Sequence, residues 1–189
     1  PTGTLRDELR ERWGITGKVV IAGGGGDNAA SACGMGTITP GSAFLSLGTS
    51  GVLFVSNASF APNTDGAVHA FCHAVPDTWH QMGVILSAAD SLSWLAKLTG
   101  RTPTELTARL GSVQAPGRTQ FLPYLGGERT PLNDAAIRGA FTGLEHATDA
   151  ETATRAVLEG VAFALADCRD ALAATGTRIE SVLAVGGGS

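Results

Sequence analysis

Lysine is scarce in this chain of 189 residues: Lys18 and Lys97 stand against eleven arginines. Val19 follows the first and Leu98 the second, so the Gly-Lys-Ser/Thr end of a Walker A phosphate loop is absent. The net charge is -4, and the arginines of the Arg6 to Arg12 stretch alternate with acids as on a solvated helix face, which argues against nucleic acid as a partner. Cysteine is equally sparse. Cys33, Cys72 and Cys168 are odd in number, lack C-x-x-C spacing and sit in apolar runs, so a disulfide framework is not expected and a reducing cytoplasm is. No apolar run reaches the length of a membrane span, and "PTGTLRDELRERWG" has neither the basic start nor the apolar stretch of a signal peptide. A soluble protein is the expectation. With no initiator Met at the start and "VLAVGGGS" at the end, the chain reads as a piece of a longer one.

What is abundant is glycine. Twenty-six of 189 residues is about twice ordinary usage. The glycines cluster at Gly23 to Gly26, Gly48 to Gly51 and Gly186 to Gly188, where backbone would approach something closely. Between them the pattern alternates. Leu5 to Trp13 reads as a helix capped at Thr4, Lys18 to Ala22 as a buried strand and Asp27 to Met35 as a helix. "AFLSLG" and "GVLFVS" flank a tight turn at Thr49-Ser50, and "VHAFCHAV" and "TWHQMGVIL" flank another at Pro76-Asp77, so both pairs read as antiparallel hairpins. Helices follow at Ser87 to Leu98, Thr104 to Leu110 and Asp149 to Thr175. The last carries a Thr148/Glu151 capping box, an apolar stripe of Val157, Val161, Leu165, Cys168 and Leu172, and a stop at Gly176. Strand "SVLAVG" closes the series, an order that fits an α/β nucleotide-handling domain.

The stretch "VVIAGGGGDNAASACGMG" runs a strand into four glycines and a lone acid, Asp27. Gly24, Gly26 and Ala29 satisfy G-x-G-x-x-G/A, yet no Asp or Glu occurs between Asp27 and Asp65 to bind a ribose as a dinucleotide fold requires. "GTSG" lacks the last glycine of G-x-S-x-G, and Ser93 to Lys97 misses S-x-x-K by one residue. His69 and His73 would share one strand face with Cys72 on the other, so no metal site is expected. From Asn28 to Thr64 no charged residue or histidine occurs, and local sequence supplies no cation to hold Asp27 acidic. A partly desolvated carboxylate is a competent base. An Asp at a helix start also serves as an N-cap, and the pattern alone leaves both roles open.

The turn at Gly48, Thr49, Ser50 and Gly51 exposes backbone N–H groups and two hydroxyls suited to phosphate oxygens, although short turns of this composition also simply close hairpins. With "GGGS" after the last strand, three glycine loops favour one nucleotide cleft.

At these residues a resemblance becomes specific. "AGGGGDNAASACGMG", "AFLSLGTSGVLFVS", "VHAFCHAVPDTWHQMGVILSAADSLSWL", "FLPYLGGERTPLNDAAIRGAFTGL" and "VLAVGGGS", in that order, resemble the central part of an FGGY-family carbohydrate kinase, and "HAFCHAVPDTWHQMGV" most resembles members acting on D-xylulose. The resemblance implies an α/β, ribonuclease H-like fold of the actin/hexokinase ATPase type, with residues 1–40 ending the sugar-binding N-terminal domain and 41–189 forming much of the ATP-binding C-terminal one. It implies ATP with Mg2+ and a small sugar as ligands, D-xylulose 5-phosphate as product, Asp27 as general base and Asn28 as a sugar contact. It also implies that Gly48, Thr49, Ser50 and Gly51 form a phosphate loop, that Gly83 lines the nucleotide cleft, and that Gly186, Gly187, Gly188 and Ser189 begin the adenosine loop. Glu128 and Arg129 read as an interdomain ion pair. Leu132 follows "GERTP" where the xylulose-directed members often carry His. The family's first phosphate loop, Asp-Gly-Thr, is not in this sequence, so the piece alone is expected to be inactive. Another sugar or polyol as substrate, a binding fragment without catalysis, and a homodimer all remain open.

Overall fold

Alternation of apolar and small residues through "SAFLSL" and "GVLFVSN" gives each strand two buried faces, and the chain builds its main sheet from that pattern. The structure is a computed structural model and describes residues 2–189. In chain order its elements are β1 (Gly3–Thr4), α1 (Asp7–Arg12), β2 (Val20–Ile21), α2 (Asp27–Met35), β3 (Ser42–Leu47), β4 (Gly51–Asn57), β5 (His69–Cys72) and β6 (Trp79–Ile85). There follow α3 (Ala89–Thr99), α4 (Pro103–Thr107), β7 (Gln120–Leu122), β8 (Ala140–Thr142), α5 (Ala150–Ala173) and β9 (Ser181–Val185).

The central sheet runs β5-β6-β4-β3-β9. Both expected hairpins are present: β3 pairs antiparallel with β4 from Ala43↔Val55 to Leu47↔Gly51, and β5 pairs with β6 from His69↔Met82 to Cys72↔Trp79. The closing strand β9 joins parallel to β3, Ser42 facing Ser181, which brings the last glycine loop beside the β3–β4 turn. On one face, Ala43, Leu53, Val55 and Ile85 meet Cys168, Ala171 and Leu172 of α5. On the other, Ala32 of α2 meets Phe44, Phe54, Met82 and Val84. A further cluster of Leu95, Leu106, Phe121 and Val157 ties α3, α4 and β7 to α5.

Several local expectations shift. The first helix begins at Asp7 with Arg6 at its N-cap and no side-chain cap, because Thr4 is in β1, paired with Val20. The strand over Lys18 to Ala22 shrinks to β2 and is exposed, since it belongs to a two-stranded ribbon rather than to the buried sheet. The long helix is capped one residue later than the Thr148/Glu151 pattern suggests. Asp149 Oδ1 accepts from the Thr152 amide at 2.8 Å, while the Thr148 hydroxyl accepts from the Glu145 amide at 2.9 Å. The capping box is found instead at α4, where the Thr102 hydroxyl accepts from the Glu105 amide and Glu105 Oε2 accepts from the Thr102 amide. Strands β7 and β8 flank the Pro- and Gly-rich stretch "PYLGGERTPLND"; Phe121 at the centre of β7 packs against Trp94 and Phe141.

Candidate active site

Helix α2 begins one residue after Gly26, which occupies its N-cap. Asp27 is therefore the first helical residue and not the cap. Its Oδ1 accepts from the amide of Asn28 at 2.8 Å and from Asn28 Nδ2 at 3.2 Å, and Oδ2 has no hydrogen-bond partner among the described residues. Asp27 is exposed and Asn28 half-buried. Gly26, Asp27, Asn28 and Ala29 line a pocket of about 270 Å³ with Phe71 and Cys72 of β5 and His80 and Met82 of β6.

The glycines before the acid are not there for a left-handed backbone, since none of Gly23 to Gly26 has a positive φ. Added Cβ atoms at Gly24 and Gly26 would meet no described atom within 4 Å, whereas at Gly25 one would lie 3.1 Å from the Cβ of Ala74. Bare backbone at Gly24 and Gly26 thus borders open space beside the acid, room that a ligand could use.

The turn from Gly48 to Gly51 is held from two sides. Its carbonyls accept from the first amides of α3 and its approach: Ala89 to Gly48 at 3.0 Å and Ala88 to Thr49 at 2.8 Å. The amides at the start of α3 from Ala89 to Ser91 have protein acceptors. The hydroxyls of Thr49 and Ser50 make no hydrogen bond among the described residues, and Thr49 is exposed. On the other side, Gly188 donates to the carbonyl of Leu47 at 3.0 Å. Gly186 has φ +101, and a Cβ there would stand 2.7 Å from the same carbonyl oxygen, so only glycine lets this loop lie against the turn. An apolar pocket of about 390 Å³ opens alongside, bordered by Leu47, Ala88, Ala89, Leu92, Val161 and Gly188 among others. Gly51 serves the fold: its missing Cβ makes room for Ile85 and Leu165.

The second and third glycine loops therefore converge, while Asp27 and Asn28 line a separate pocket on the sheet. Met82 in that pocket and Ile85 opposite Gly51 are three residues apart on β6, so they point to opposite faces of the sheet, Met82 toward α2 and Ile85 toward α5.

A sequence profile for the C-terminal domain of the FGGY family of carbohydrate kinases matches residues 43–189. The chain belongs to the FGGY family of carbohydrate kinases. It is 47% identical to the xylulose kinase of Escherichia coli K12 over all of its own length, which is 39% of that protein. A crystal structure of a xylulose kinase from Brucella ovis is 61% identical with a TM-score of 0.91, covering 99% of this chain and 39% of that one. The xylulose kinase of Bifidobacterium adolescentis is 31% identical with a TM-score of 0.80, covering 92% of this chain and 34% of its own. The fold is the actin/hexokinase-type ATPase fold, here a mixed sheet between helices.

Two positions gain a structural account in this FGGY chain. Gly83, expected to line the nucleotide cleft, is central in β6 and faces α5, where a Cβ would lie 2.6 Å from that of Cys168, so the sheet–helix packing requires glycine there. Glu128 and Arg129 form no ion pair. The buried Glu128 points inward, its Oε1 accepting from the amides of Leu86 at 3.0 Å and Arg129 at 2.7 Å, while the Arg129 guanidinium lies 3.5 Å from His69 Nε2. Burial pushes the Glu128 carboxyl above its ordinary range against those hydrogen bonds. What the sequence reading passed over is His80. Its signal lay in "WHQMG", since strand alternation puts His80 and Met82 on one face and the hairpin register sets Phe71 opposite His80.

Proposed function

We propose that the whole protein transfers a phosphoryl group from ATP to a hydroxyl of a sugar, D-xylulose, giving D-xylulose 5-phosphate. The observation that carries this is the 47% identity to a xylulose kinase along the full length of the chain. Because the chain spans 39% of that relative, the activity belongs to a longer protein of which residues 1–40 would end the sugar-binding domain and 41–189 would form much of the ATP-binding one. A cytoplasmic location agrees with the exposed, unpaired Cys33 and Cys72, which a reducing compartment tolerates. No helix among the described residues is long and apolar enough to cross a membrane.

In this reading the sugar occupies the pocket at Asp27, with Asn28 as a contact. The free Oδ2 of Asp27 takes the proton of the attacking hydroxyl as its oxygen bonds to the γ-phosphorus, and the bond from that phosphorus to the oxygen of the departing ADP breaks. The hydroxyls of Thr49 and Ser50, with neighbouring turn amides, steady the phosphoryl oxygens, and the Gly186 to Ser189 loop borders the nucleoside side. Mg2+ is commonly held through phosphate oxygens with few protein carboxylates, and here it would be held chiefly by the phosphates of ATP. When bound it supplies neutralisation of phosphate charge.

The test is an ADP-release assay of the full-length protein across D-xylulose, glycerol, L-ribulose and gluconate. D-xylulose is expected to give the highest kcat/KM. Glycerol as the best substrate would overturn the substrate and leave the phosphoryl transfer standing.

A further inference from the structure

The imidazole of His80 is set into an aromatic frame. One face stacks on Phe54 at 4.7 Å and 21°, the His73 ring meets it edge-on at 5.8 Å, and Phe71 leans on it at 5.7 Å. Phe54 in turn stacks on Phe44 at 4.7 Å, so the ring is fixed by a ladder across β3, β4 and β6. His80 is 4% exposed, and that remnant borders the pocket containing Asp27 and Asn28. Its Nδ1 is buried with no partner among the described residues; Nε2 also makes no hydrogen bond among them but is not so enclosed.

We propose that His80 is a specificity-determining residue that donates a hydrogen bond from Nε2 to an oxygen of the sugar held beside Asp27. The inference rests on the functional reading above and names a contact within that site. A neutral imidazole carries one N–H and one lone pair. Enclosing a donor without a partner costs more than enclosing an under-used acceptor, so the proton belongs on Nε2, toward the pocket, and the bare lone pair on Nδ1. Neutrality itself is supported by burial, reinforced by His73, which pushes the His80 pKa down to about 4. His73 Nδ1 accepts from the amide of Val75 at 3.0 Å, which places the His73 proton on Nε2, an atom that, like His80 Nδ1, is buried with no partner among the described residues. The pocket then offers three kinds of polar group to a polyhydroxylated ligand: a carboxylate acceptor at Asp27, an amide at Asn28 and a neutral donor at His80. A neutral donor reads an oxygen without forming an ion pair with the base. That leaves Asp27 free to take a proton.

The experiment compares full-length wild type with His80→Phe, which keeps the ring stack and removes the donor, and His80→Gln, which restores a donor on a flexible stem. In His80→Phe the KM for D-xylulose should rise roughly 10- to 100-fold while the KM for ATP stays within about twofold. His80→Gln should recover part of the loss. A deoxy analogue lacking the contacted hydroxyl should be used equally well by wild type and His80→Phe. An unchanged sugar KM in His80→Phe overturns the inference, as does a parallel rise in both KM values with a lowered thermal midpoint. A wild type inactive toward every sugar tested overturns the functional reading itself, a result separate from either of these.

Discussion

Gly83 of β6 and Cys168 of α5 approach so closely that a Cβ on the glycine would stand 2.6 Å from the cysteine's Cβ and 3.2 Å from its Cα. The contact is backbone-proximal on both sides, so no rotamer change relieves it. Cys168 is fully buried beneath it, and burial together with nearby Glu128 and Asp167 pushes its thiol up to about 12, which makes it an inert packing group.

Gly83→Ala should therefore destabilise the protein by about 1–3 kcal/mol through overpacking, lowering the thermal midpoint by several degrees. Differential scanning calorimetry reads this directly. An unchanged midpoint would mean that α5 can move away from the sheet at no cost, contrary to the packing described.

Thr49→Val keeps the shape of the β3–β4 turn and removes one free hydroxyl. Turnover should fall on the order of 10²-fold if that hydroxyl acts in the transition state, with the sugar KM nearly constant. Steady-state kinetics with varied sugar and ATP separate the two. Unaltered turnover would reduce the turn to a hairpin closure.

Stability should depend on pH with a definite sign. Burial holds His69, His73 and His80 below their ordinary value of 6.5, His80 at about 4. Between about 4 and 6.5 the unfolded chain binds protons that the folded chain does not, so this contribution is complete above 6.5 and is lost as pH falls toward 4. Glu128 acts oppositely, because its raised folded pKa favours the folded state at low pH and penalises it once the carboxyl ionises. Urea midpoints measured from pH 7 down to 4.5 should fall, and His80→Phe should flatten the decline. A profile rising toward pH 4.5 in the wild type would contradict the burial of these rings.

Much of this was legible in the sequence, and the misses have physical reasons. The hairpins announced themselves because β3 to β6 alternate around short turns, and the 24 residues of α5 repeat an apolar stripe long enough to be unmistakable. The role of Gly83 was not legible, since glycine in a strand looks the same whether it admits a ligand or a helix; the neighbour that decides, Cys168, is 85 positions away. The cap of α5 slipped by one residue because Thr148 and Asp149 are both good caps, and only the turn at Glu145 shows that the threonine is already engaged. Adjacent charges at Glu128 and Arg129 suggested a pair, but burial turned the carboxylate toward backbone amides. His80 needed the hairpin register to place it in the pocket of an acid 53 residues earlier.

The central claim is that Asp27 accepts the proton from the attacking hydroxyl. Since Gly26 and not Asp27 caps α2, Asp27→Asn removes no cap, and the amide oxygen can keep the contact to the Asn28 backbone. The decisive measurement is sugar-dependent ATP turnover of full-length Asp27→Asn beside its thermal midpoint. Turnover should fall by roughly 10²- to 10⁴-fold with the midpoint nearly unmoved. An Asp27→Asn enzyme that folds normally and keeps most of its turnover would contradict the claim.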